Sequence, residues 1–302
     1  MDAVWALLLA TAAVVLITYT RLSPEELYHV SEEGPALGLG RTLVFLNYPV
    51  SLVAIPIAWL AADRIGTRWA FWTAVAATAL CVVTVLPGVV DENDLDAKPV
   101  NALPAIGVAI AFFLSLRAPW EGVGRLPLDP VRIGIGLVVW LTALVWVAAV
   151  SGFYFPGDVL LGEEIRRGGD GTLVPAVHLG DHEGLDAALL VTSSLILSRY
   201  RPRLALLALL SLAFVYGLAV EWRDFWFEQV VKRGWTSWAP PQVLTPRLSV
   251  GWGALLVIAA VVTVLVRRLE APPLPGRGPR RAARTPGPDR PTAGPTTGGP
   301  WP

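Results

Sequence analysis

Charge is scarce in this sequence: Asp, Glu, Lys and Arg make up 16% of 302 residues, where an average soluble domain carries about a quarter. Its 24 acids and 24 bases cancel, so no net field draws nucleic acid or acidic partners, and no nucleic-acid-binding motif is present. Lysine is nearly absent. Lys98 and Lys232 leave 22 of the bases as arginine, a usage expected of a GC-rich bacterial genome. The single cysteine, Cys81, lies within an apolar run, which excludes an intrachain disulfide and any cysteine-based redox motif. Histidine is limited to His29, His178 and His182.

Apolar residues are what the chain has in excess: 54% of the total, with a mean hydropathy of +0.56. Eight apolar stretches approach or reach the roughly 20 residues that cross about 30 Å of hydrocarbon as a helix. They are residues 3–20, 42–62, 69–90, 100–116, 133–150, 180–198, 204–220 and 248–266. The expected fold is all-α, a polytopic membrane bundle of about eight transmembrane helices over residues 1–270. The first stretch lacks a basic n-region, Asp2 being the only charge before it, and no small-x-small cleavage site follows. It reads as a retained helix rather than a signal peptide. Residues 271–302 hold ten prolines and six glycines, too little apolar content for a core, and read as a disordered Pro/Gly/Arg-rich tail.

Charge placement gives an orientation. The connections after the second, fourth and sixth stretches, with the tail, carry 15 of the 24 basic residues, and the positive-inside rule makes them cytoplasmic. The alternate connections carry 18 of the 24 acids and all three histidines. The expectation is a multi-pass plasma-membrane protein, a bacterial inner-membrane protein in particular, with both termini cytoplasmic and an acidic, histidine-bearing outer face. The flanks of the first stretch, Asp2 inside and Arg21 outside, run weakly against this.

The stretch HLGDHEGLDAALLVTSSLILSRY, beginning at His178, joins that outer face to the sixth span. Its uninterrupted apolar part is only the 12 residues 187–198, about 18 Å of helix, so a crossing helix must draw His182, Glu183 and Asp186 toward the outer bilayer. Ionisable groups there should face the bundle interior, water or one another. His178, His182 and Asp186 are spaced i, i+4, i+8, which permits one helix face. Two imidazoles so spaced can ligate one Zn²⁺, with His29 from another outer connection completing the shell and Asp186 or Glu183 orienting ligands or moving protons. Gly180 and Gly184 weaken the assumption of a regular helix there. The bland alternative is that these groups cap the helix and bond neighbouring loops; a third reading is a proton relay or pH sensor.

Other outer segments could face the same place. EWRDFWFEQVV places Glu221, Asp224 and Glu228 on one helix face among Trp222, Phe225, Trp226 and Phe227, which reads as an interfacial helix with an acidic stripe or as an ordinary solvated face above an aromatic belt. DENDLDAKPVN lacks the glycine an EF-hand loop needs and suits a helix cap or a loose cation site. SPEELYHVSEEG reads most simply as a short interfacial helix. Pro49 and Pro56 should bend the second span and free carbonyls inside the bundle.

Three functions fit. One is a metal-dependent membrane enzyme acting on a lipid headgroup ester, amide or phosphate. Its ligand set is similar to that of membrane hydrolases of the ceramidase and adiponectin-receptor type, which also use a His-x-x-x-His pair, a third histidine and an aspartate. The pair here leads the sixth of eight spans and no serine precedes His29 at that family's spacing, so the likeness is one of ligand logic and implies no membership. The second is a non-catalytic assembly or interaction subunit that presents its outer connections to another membrane protein, for which the turn-rich stretch between residues 151 and 178 would serve as a hairpin or flap. The third, a proton-coupled transporter, would want polar groups near the midplane rather than in the outer third.

Overall fold

The computed structural model describes residues 1–21, 39–86, 89, 98–144, 146–147, 165–167, 173–175, 183–231, 233–243 and 248–270. These residues form eight α-helices of 14 to 27 residues: α1 (Asp2–Arg21), α2 (Leu39–Ile65), α3 (Arg68–Val82), α4 (Ala102–Arg117), α5 (Asp129–Thr142), α6 (Glu183–Ser198), α7 (Leu204–Trp226) and α8 (Val250–Leu269). Each coincides with one of the apolar stretches. Among the described residues five helical segments are long and apolar enough to cross a membrane: Asn47–Ile65, Arg68–Val85, Pro99–Arg117, Leu204–Val231 and Val250–Leu269. The apolar helices at Asp2–Ile17 and Gly184–Ser198 are shorter. Between α5 and α6 a small antiparallel pair, β1 (Ile165–Arg167) and β2 (Leu173–Pro175), sets Arg166 opposite Val174, within the stretch read as a hairpin or flap.

The helices alternate in direction. Arg203 reaches Asp63 at 3.3 Å, Arg64 lies 4.7 Å over Trp120 and 5.1 Å over Tyr200, Arg199 donates to the Gly124 carbonyl, and the Met1 amine donates to the Tyr200 hydroxyl. One end of the bundle therefore gathers the starts of α1, α3, α5 and α7 with the ends of α2, α4, α6 and α8. Among the described residues this end holds ten arginines against five acids, Asp2, Asp63, Glu121, Asp129 and Glu270.

Burial sorts the helices into inner and outer. In α2 61% of the Asn47–Ile65 stretch is buried, in α8 17% of Val250–Leu269. The helix α2 continues through Pro49 and Pro56 and packs on α1, α3, α4, α6 and α7. Its Asn47 amide donates to the Asn101 carbonyl at 2.9 Å, and the Asn101 side chain accepts the Lys98 N–H in the turn before α4. Small residues allow close approach: Ala54, Ala58, Ala61 and Ala62 of α2 meet Ala70, Ala74 and Ala77 of α3 and Ala111 of α4. Indole N–H groups tie helix pairs across apolar surroundings, from Trp5 to Ser115, Trp59 to Thr78 and Trp140 to Thr192.

The short α6 is enclosed. It packs on α1, α2, α5 and α7, with Ala187, Ala188, Leu189, Leu190 and Val191 buried. Its 16 residues are walled on several sides by these four helices. Outer helices show the opposite pattern. On α5, Ile133, Leu137 and Leu141 are 63%, 68% and 70% exposed, a stripe at i, i+4, i+8. Leu256, Val257, Val261, Val264 and Leu265 do the same on α8. Contiguous exposed apolar stripes of this kind suit a hydrocarbon surround rather than water.

The α3–α4 seam gives a direct test. A Cβ on Gly107 would sit 2.7 Å from Cys81 Sγ, 2.9 Å from the Ala77 carbonyl oxygen and 3.0 Å from the Cys81 backbone nitrogen. Backbone cannot yield as a side chain can, so Gly107→Ala should lower stability by about 1–3 kcal/mol in detergent unfolding experiments. Gly136→Ala on α5, with nothing within 4 Å, should be neutral or stabilise by up to about 1 kcal/mol through helix propensity.

Candidate functional site at the acidic end of the bundle

The inward face of α7 is read at positions 217, 221 and 224. Gly217 lets α6 come close, since a Cβ there would lie 2.9 Å from Val191 Cγ2 and 3.1 Å from the Ala187 carbonyl oxygen. One turn on, Glu221 is 4% exposed and Asp224 6%. The reading of these two residues as a solvated acidic face is thereby overturned: the stripe points into the bundle because α5 and α6 pack over it. Trp222, on the other side of α7, is exposed and stacks near Trp226, which meets Trp238, as an aromatic belt would. Beyond Trp226 the helix loosens into a π-helical segment, Phe227–Val231.

Each buried acid has a distinct partner. The Thr142 hydroxyl, in the last turn of α5, donates to Glu221 Oε1 at 2.6 Å, while Glu221 Oε2 is enclosed without a hydrogen-bond partner among the described residues. The Gly184 backbone N–H donates to Asp224 Oδ2 at 2.9 Å. That N–H is one of the unpaired donors at the start of α6, so Asp224 caps α6 from a neighbouring helix and sets its charge against the positive end of the helix dipole. Gly184 is required there for a second reason: a Cβ would lie 2.5 Å from the Trp146 ring. Asp186, in the first turn of α6, is half-buried with Oδ1 enclosed.

Glu221 and Asp224 of α7 and Asp186 in the first turn of α6, from segments singled out separately in the sequence, all lie toward this end of the bundle, and the Gly184–Asp224 bond joins the two helices there. Glu183 opens α6, but its side chain and that of Glu228 lie outside the described residues. So do His29, His178 and His182, the acids from Asp91 to Asp96, and the tail 271–302. Among the described residues no three His, Cys, Asp or Glu side chains are arranged to hold a metal ion, so a metal at this end would need the histidines. Thr142 and Gly184 are partners that sequence reading missed; neither a threonine ending an apolar stretch nor a glycine starting one carries a signal of its own.

A second buried polar cluster occupies the arginine end. Arg132 donates from Nη1 to Glu270 Oε1 at 2.6 Å and from Nη2 to Glu270 Oε2 at 3.1 Å. Its Nη1 also meets Asp129 at 3.3 Å, and its Nε and Nη2 reach Ser198 Oγ at 3.2 and 3.1 Å. Arg199 holds Asp129 with both a 3.0 Å and a 3.1 Å bond. Two cations and two anions cancel, tying α5, α6 and α8. The Leu126 N–H also donates to the Asp129 carboxylate, at 2.9 Å. The sequence marks Arg132 as an inside charge and Glu270 as the end of the apolar region, with no hint that they meet.

Comparison with protein-family models, curated proteins and solved structures finds no match. The chain's own residues must therefore indicate what it does. Of the two clusters, the one formed by Arg132, Arg199, Asp129 and Glu270 pairs its two cations with its two anions, the arrangement of a clamp. The other end keeps a buried Glu221 carboxylate oxygen without a hydrogen-bond partner among the described residues, and an ionisable group so placed among apolar helices is a functional candidate.

Proposed function

We propose that this chain is a multi-pass integral membrane protein whose eight helices all cross the bilayer, with the arginine end and both termini cytoplasmic and the acidic end outside, in the plasma membrane of a bacterium. The outer end is a site for metal-assisted hydrolysis of a lipid headgroup ester, amide or phosphate. The observation that carries this reading is the bond from Gly184 N–H to Asp224: it pins the first turn of α6, directly after the His178 and His182 segment, against the carboxylates of α7. Those two histidines, with His29, would hold the metal, and Asp186 or Glu183 would orient an imidazole or carry a proton. Zinc held there would lower the pKa of a bound water and polarise a carbonyl or phosphoryl oxygen.

A second reading has its own support. Because Asp224 caps α6, its burial needs no chemistry, and the β1–β2 hairpin in the same connection suits a docking element, so a non-catalytic subunit that binds another membrane protein accounts for the same features. A proton-coupled carrier is less well supported, since the described buried acids lie at helix ends rather than mid-span.

Metal content separates the first two. Purified protein should carry near-stoichiometric zinc or another transition metal by mass spectrometry, and the His178→Ala, His182→Ala double variant should lose it. Wild-type protein free of metal when purified without chelator, and still free after zinc addition, would reject the enzyme reading and favour the partner-binding one.

A further inference from the structure

Helices α5 and α8 face each other across a cleft, and Arg132 with Glu270 is the bridge between them. The cavity behind that bridge measures about 320 Å³, within the roughly 300–1,000 Å³ of ordinary ligand pockets. Its walls are Val131 and Ile135 of α5 and Leu265 and Leu269 of α8, and its floor includes Ser194 of α6 and Ser211 of α7. The lining is almost wholly carbon. Because the ion pair closes the cleft at the arginine end, entry is sideways, from the surface on which Val131 and Leu265 are 55% and 50% exposed.

Dimensions and charge indicate what fits. The lining runs from Leu128 to Ile135 on α5 and from Val262 to Leu269 on α8, about 10 Å of helix, against roughly 15 Å for half of the hydrocarbon layer. A cavity that starts at the bundle's end and stops within one leaflet matches a hydrocarbon chain anchored at that end. The anchor available there is cationic. Arg267 and Arg268 are exposed on the last turn of α8, Arg125 is exposed just before α5, and the whole end carries ten arginines against five acids among the described residues. The guanidinium of Arg132 is already occupied by Glu270, Asp129 and Ser198, so the exposed arginines are the ones free to meet a phosphate.

We propose that the α5–α8 cleft binds one acyl chain of an anionic phospholipid, with the headgroup held by the arginine rim. This site lies at the opposite end from the candidate catalytic groups and rests only on the membrane-spanning reading. Resistance of the chain to alkaline carbonate extraction tests that reading by itself.

The lipid site is tested by native mass spectrometry on the full-length protein in mild detergent, titrated with dioleoyl phosphatidylglycerol or dioleoyl phosphatidylcholine. Wild type should retain one phosphatidylglycerol in preference to phosphatidylcholine. Ser211→Phe, which fills the floor, and Val131→Trp, which narrows the mouth, should each weaken that adduct about tenfold. The Arg267→Ala, Arg268→Ala pair should cut the preference for phosphatidylglycerol about fivefold per arginine. Leu256→Trp, exposed on α8 outside the cleft, should change nothing. If either cleft variant folds and still holds phosphatidylglycerol as wild type does, or if wild type holds both lipids equally or neither, the site is disproved.

Discussion

Replacing Arg132 with alanine is expected to destabilise the folded bundle by about 3–5 kcal/mol, the usual cost of stranding a buried charge. Arg132 is 8% exposed and Glu270 6%, so water cannot replace the lost partner. The damage should fall on Glu270. Asp129 keeps the paired bonds from Arg199, whereas both Glu270 carboxylate oxygens lose their guanidinium donors. Glu270→Ala should cost less, since Arg132 still faces Asp129 and Ser198. Arg132→Lys should recover only part of the loss, because a point charge cannot reproduce the two-pronged contact. Arg132→Met combined with Glu270→Leu should return most of the stability, as paired apolar replacements of buried ion pairs often do. The measurement is reversible unfolding in micelles over the double-mutant cycle. An Arg132→Ala variant within about 0.5 kcal/mol of wild type would mean that the cluster is hydrated and the pair screened.

The helices were legible because long apolar stretches stand out against the charged connections between them. Strings of Ala, Leu and Val long enough to cross a membrane as helices mark α2, α3, α4, α7 and α8 from composition alone. The enclosed α6 was also located, yet its enclosure was not visible: the sequence shows 12 apolar residues but not the four helices around them. Polar groups were the harder part for the same reason. Glu221 and Asp224 three residues apart are compatible with a wet face or a buried one. Only the approach of α6, permitted by Gly217, decides for burial. Arg132 and Glu270 lie 138 residues apart, and no local pattern announces a pairing at that separation. Hydropathy specifies which residues leave water; it does not specify which neighbour they meet.

Glu221→Leu and Asp224→Ala should move stability in opposite directions, although the two acids lie one turn apart and are equally buried. Removing Glu221 strands nothing. Its donor, the Thr142 hydroxyl, also lies 3.1 Å from the Val138 carbonyl oxygen and 2.9 Å from that of Val139, so it can turn back to its own helix. What disappears is a carboxylate with one oxygen enclosed and unpartnered among the described residues, and apolar replacement of such a group should stabilise the bundle by about 1–3 kcal/mol. Removing Asp224 instead strands the Gly184 N–H at the buried start of α6 and takes a negative charge from that helix's positive end, which should cost about 1–3 kcal/mol. Micellar unfolding of the two variants reads both signs. A carboxylate that weakens the fold where it stands is one the fold does not need, and groups of that kind are kept for what they do. If Glu221→Leu unfolds more easily than wild type, Glu221 is a staple between α5 and α7, and the acidic end is built for packing alone.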